Sequence, residues 1–139
     1  MALTREQLLK KQELKIEKVK LSTGDVYVRQ MNGREKNRFE LTLGHWEDYK
    51  EDGKDKNRYV RSLEDFRAKL AVHTVCDKNG VLLLTKEDID TLSENMSGAD
   101  LERIADAAQG LNAITELDRE RMVKNSGGAP AAASSSTSA

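Results

Sequence analysis

The chain has 139 residues, with 23 Lys plus Arg against 24 Asp plus Glu, two histidines and a single cysteine. That length gives room for one domain, and the balanced charge argues against a general nucleic-acid binder, which would carry a basic excess. Cys76 alone excludes an intramolecular disulfide and argues against a thiolate zinc site. Aromatic residues are 4% and charged residues 34%, so the core must be built from Leu, Ile, Val and Ala. A core of that kind is modest, which points to marginal stability and dependence on a partner. Lys10 and Lys11 interrupt the N-terminal segment before any signal-peptide apolar region can form. No apolar run reaches the roughly 20 residues that span a bilayer. The expectation is a soluble protein of the cytoplasm with no membrane partner.

Thr4 and Gln7 have capping-box spacing, and Leu3 with Leu8 has the spacing of a hydrophobic staple. They predict a short helix over 5–13. Apolar residues then alternate on both sides of Ser22-Thr23-Gly24-Asp25, which predicts a β-hairpin. Val19, Leu21, Val26 and Val28 share its buried face, and Tyr27 points the other way. Asn32 and Glu35 mark a second helix start. Phe39, Leu43 and Trp46 fall on one stripe of that helix, with Leu41 on the opposite side.

The mostly charged stretch 47–58, with Gly53 near its middle, reads as an exposed loop or insertion. Residues 62–76 read as a central helix, apolar on two sides. The turn Asp77-Lys78-Asn79-Gly80 leads to a short strand over 81–84, placed to pair with the hairpin edge. Thr85 with Asp88 and Ser97 with Asp100 start two further helices, the second striped by Leu101, Ile104, Ala105, Ala108 and Leu111. Thr115 begins a final helical turn or two. Residues 126–139 lack charge and large apolar side chains, so they cannot offset the entropy of ordering and are expected to form a disordered tail.

Chemistry-bearing patterns are absent from this sequence. Were Asp77 to Gly80 part of a calcium loop, Val75 and Lys86 would occupy liganding positions, which they cannot fill. His73 and Cys76 lie three apart without an orienting third group, so they read as structural residues rather than a nucleophile pair. His45 has no metal-ligand companion. Neither Gly-rich phosphate loop motif occurs. The expectation is a non-enzymatic binding protein without cofactor or metal.

The order of motifs carries more. An LTREQLL start precedes the hairpin VKLSTGDVYVRQM. Next come NGREKNRFE, a RAKLAVHTVCD helix, the DKNG turn and an LTKEDIDTL segment, and ADLERIADAAQGLNAIT closes the order before VKN. Over about residues 3–125 this resembles the tail assembly chaperones of siphophage-type bacteriophages. The matching positions are Val26 to Arg29, Gly33 to Glu35, Asp77 to Leu92 and Leu101 to Asn112. The charged stretch 47–58 departs from the pattern by its length.

The resemblance implies a protein that coats the tape measure protein before tail-tube polymerisation, keeps it soluble and helps recruit tail-tube subunits. It also implies action in the host cytoplasm and absence from the finished virion. Tyr27, Leu41 and Trp46 are the candidate contacts. The competing reading is a small virion structural protein, a tail or head completion component. The expected fold is α+β: a mainly helical single domain over 1–125, with an N-terminal β-hairpin, one additional short strand and a disordered tail over 126–139.

Overall fold

The computed structural model describes residues 1–114 together with 118, 120 and 121. Helix α1 covers Arg5–Leu9, shorter than the expected 5–13. Its capping box is formed as read: the Gln7 N–H donates to Thr4 Oγ1 at 3.2 Å and the Thr4 N–H to Gln7 Oε1 at 2.9 Å. The helix buries no residue, and Leu3 and Leu8 stay exposed.

The hairpin follows as β1 (Ile16–Lys20) and β2 (Asp25–Arg29), with Val19 opposite Val26. Val19 and Val28 are buried, and Leu21 and Val26 pack against the same cluster, so the expected apolar face is the core face. A third strand, β5 (Val75–Cys76), joins the free edge of β2 antiparallel. This corrects the expected strand over 81–84, which is reduced to a single bridge between Leu82 and Cys76. The intervening turn explains the outcome. The Asp77 carboxylate accepts from the backbone N–H groups of Asn79 and Val81, and Gly80 takes φ 87°, so the chain reverses as soon as it leaves β5.

Helix α2 spans Gly33–Leu41, with Asn32 and Glu35 closing a reciprocal cap. Phe39 and Leu43 are fully buried, but the helix stops before the predicted stripe reaches Trp46. From Gly44 the chain is extended: β3 (Gly44–Glu51) and β4 (Lys54–Arg61) form an eight-residue antiparallel ladder. The expected exposed loop over 47–58 is therefore a second hairpin, separate from the first sheet. Asp52 and Gly53 both have positive φ, 55° and 74°, which is the two-residue turn whose twist matches paired strands. Among the described residues five strands form two sheets, so the fold is α+β as expected, while the expected mainly helical character is not confirmed.

Helix α3 (Phe66–Val72) starts four residues later than expected, after Asp65 in a left-handed conformation, and ends before β5. It is central as read: Phe66, Ala68, Leu70, Ala71 and Val72 are all buried. Phe66 meets Phe39 edge-on at 5.6 Å. A 3-10 turn at Lys86–Asp88 leads into α4 (Ile89–Asn95), and α5 (Gly98–Leu111) lays Leu101, Ile104, Ala105 and Ala108 into the core. Asp118, Glu120 and Arg121 are helical. The rest of the predicted terminal turns and the tail over 126–139 lie outside the described residues. No helix among the described residues is long and apolar enough to cross a membrane.

Candidate protein-binding ledge

The β3–β4 hairpin starts two residues after α2, and its base is fixed to the end of that helix. The last carbonyls of a helix lack partners within it. Here β4 supplies donors: the Tyr59 hydroxyl donates to the Leu41 carbonyl at 2.7 Å and an Arg61 guanidinium N–H to the Glu40 carbonyl at 3.1 Å. Trp46 is directly opposite Tyr59, and their rings meet edge-on at 5.6 Å. The Arg61 guanidinium lies 5.9 Å from the centre of the Tyr59 ring.

The result is a ledge of exposed apolar surface on an anchored base. Leu41 is 66% exposed and Trp46 68%, two large apolar side chains held in water at the base of the hairpin. Leu41 also forms part of the wall of a groove of about 630 Å³, whose apolar lining includes Val72, Leu82 and Leu84 and whose polar lining includes Arg38 and Lys86. Of the three residues singled out by sequence, the structure brings Leu41 and Trp46 together through Tyr59. Tyr27 stands apart on β2, in the other sheet, half-buried opposite Lys18 and Cys76.

Above the ledge the two faces of the hairpin differ. Residues alternate between faces, so Glu47, Tyr49, Lys56 and Arg58 share one. There Glu47 pairs with Arg58 at 2.9 Å and with His45 at 3.7 Å, Arg58 stacks 4.7 Å over Tyr49, and Glu51 pairs with Lys56 at 3.2 Å. The Trp46–Tyr59 pair lies on the other face.

Tyr59 and Arg61 are site residues that the sequence reading passed over. The signal for them was present: an Asp-Gly pair with Glu51 and Lys54 on either side, and Trp46, Tyr49, Tyr59 and Val60 at strand-compatible positions.

The remaining chemistry-bearing residues occupy structural settings. The His73 ring nitrogen Nδ1 is 2.7 Å from the Lys69 carbonyl, and its ring meets Phe39 edge-on. Cys76 is buried, and burial pushes its thiol pKa up. Among the described residues no three His, Cys, Asp or Glu side chains converge as a metal site. No protein-family model, curated protein or solved structure matches this chain.

Proposed function

We propose that this chain is a tail assembly chaperone of the siphophage type. It binds the tape measure protein in the host cytoplasm, keeps it soluble, helps recruit tail-tube subunits and leaves before the virion is complete. It is a binding protein and not an enzyme. The motif order over residues 3–125 supports the family. The observation that carries the binding role is the Leu41–Trp46 ledge, an anchored pair of exposed apolar side chains beside a groove lined by both apolar and charged residues. Such a surface suits the apolar face of a partner helix. Burying one large side chain there contributes about 2 kcal/mol.

Coexpression tests the reading. The tape measure protein is expected in the soluble fraction only when this chain is present. Equal insolubility with and without it would overturn the proposal. The alternative, a small virion structural protein, is separated by mass spectrometry of purified particles: a completion component stays in the virion and a chaperone does not.

A further inference from the structure

The β3–β4 ladder is two strands wide, and neither strand has a second neighbour among the described residues. Its two edges are chemically unlike. Strand β3 carries Glu47, Asp48 and Glu51 against one lysine, whereas β4 carries Lys54, Lys56, Arg58 and Arg61 against one aspartate. Unpaired edges are templates for further strands, and charged side chains are one device that blocks them, acting by repulsion where like charges would face each other. Here that device works between two copies of β3 or two copies of β4. It does not work between β3 and β4.

We propose that this chain associates head-to-tail by strand addition, the β3 edge of one copy joining the β4 edge of the next in the register of the hairpin itself. The hydrogen-bond pattern permits that register. In a two-residue hairpin the residues flanking the turn, Glu51 and Lys54, bond to each other, and bonded pairs then alternate along the ladder. The Ser62 N–H donates to the Leu43 carbonyl at 3.0 Å, which continues the same phase below the ladder. The outward-facing backbone groups are therefore those of Trp46, Asp48 and Lys50 on β3 and of Asp55, Asn57 and Tyr59 on β4. Between copies, the hairpin's own register matches these two sets with each other. It also repeats every favourable pair: Glu47 with Arg58, Lys50 with Asp55, Glu51 with Lys54, and Trp46 with Tyr59. Because the contact joins unlike surfaces, it generates rings or open filaments rather than closed dimers. The added strands would set the ledge aromatics in a continuous row.

Sedimentation velocity of the full chain reads this directly. Mass above the monomer is expected to rise with concentration and to fall when salt is raised, because the paired charges are exposed. Asn57→Pro removes an outward N–H from β4, and Asp48→Pro removes one from β3, without deleting a bond within the hairpin. Each variant alone is expected to be monomeric. Their mixture is expected to form a one-to-one dimer and nothing larger, through the single intact pair of edges.

Persistent self-association of either variant alone, or a wild-type chain that is monomeric at all concentrations, would overturn the proposal. If proline prevents folding, as read by circular dichroism, oxidised mixtures of Asp48→Cys and Asn57→Cys replace it. A covalent heterodimer is expected, and its absence from the mixture counts against the register.

Discussion

The Tyr59 ring lies against Gly44: a Cβ built on Gly44 would sit 2.7 Å from Tyr59 Cζ and 2.7 Å from the Val60 carbonyl oxygen. No L side chain fits without moving one of them. Gly44→Ala is therefore expected to push the ring off the hairpin base and to break the Tyr59–Leu41 hydrogen bond. The cost is about 1–3 kcal/mol, from strain together with a lost hydrogen bond. The chain has a single tryptophan, directly opposite Tyr59, so Trp46 fluorescence reports the change locally while urea melts report it globally. Tyr59→Phe keeps the ring and is expected to cost only about 1 kcal/mol.

Trp46→Ala and Leu41→Ala separate binding from stability. Both side chains are about two-thirds exposed, so each substitution is expected to change folding by about 1 kcal/mol or less. Under the proposed function, binding of the tape measure protein is expected to weaken by about 2 kcal/mol for the tryptophan, which is roughly 30-fold. Titration calorimetry against a tape measure segment short enough to stay soluble alone measures this. Unchanged affinity in the double variant would place the contact elsewhere. Tyr27→Ala tests the third candidate contact, and because that ring is half-buried in the other sheet its effect on folding is measured alongside.

How far the sequence could be read follows from where local rules agree with tertiary packing. The first hairpin was legible because Val19, Leu21, Val26 and Val28 alternate cleanly and one face is buried. The caps at Thr4, Asn32 and Ser97 were legible because each places an oxygen three residues before an N–H that needs one. Trp46 was misplaced because Phe39 and Leu43 continue a helical stripe into a segment whose fate is set by Gly44 and by Tyr59, the strand partner 13 residues after Trp46. The second hairpin was masked by its charge: a strand with both faces in solvent lacks a clean apolar alternation, which leaves the Asp52-Gly53 turn and the spaced residues Trp46, Tyr49, Tyr59 and Val60 as its signals. The Leu41–Tyr59 link joins residues 18 apart, which no local pattern encodes.

The Arg29–Glu35 pair locks the end of β2 to the first turn of α2. Arg29 is buried and donates to both Glu35 oxygens, at 2.9 and 2.6 Å. Its Nε is buried without a partner among the described residues, so the carboxylate is what makes this guanidinium tolerable. Burial alone would raise the Glu35 pKa. The Arg29 hydrogen bonds, the Asn32 N–H and the positive charge of Arg29 outweigh it and hold the group below the usual carboxylate range. Glu35→Ala leaves a buried cation and removes half of the α2 cap, with an expected loss of about 2–4 kcal/mol. Changing both residues, Arg29→Met with Glu35→Gln, is expected to recover much of it, and chemical denaturation of the single and double variants checks the difference.

Asp100 predicts how stability responds to acid. Its carboxylate accepts from the Ser22 hydroxyl at 2.6 Å and the Ser22 N–H at 3.1 Å, 78 residues away, and from Arg103 at 3.0 Å. These bonds tie the turn of the first hairpin to the start of α5. The Ser22 hydroxyl and backbone N–H, then the charge and hydrogen bond of Arg103, lower the Asp100 pKa against a smaller opposing effect of desolvation. A carboxyl with a lowered folded-state pKa binds fewer protons in the folded chain than in the unfolded one. Its stabilising contribution is thus complete above the unfolded value, near 4, and is lost as pH falls through the folded value. Glu35 acts in the same direction. The midpoint for thermal unfolding is expected to be flat above about pH 5 and to fall steeply below it. Asp100→Asn keeps an acceptor for Ser22 but cannot titrate. It is expected to start from a lower midpoint near neutrality and to show a shallower acid slope. Melting curves of the two proteins across pH 2–7 measure both quantities, and parallel slopes would show that the acid sensitivity arises at other carboxylates.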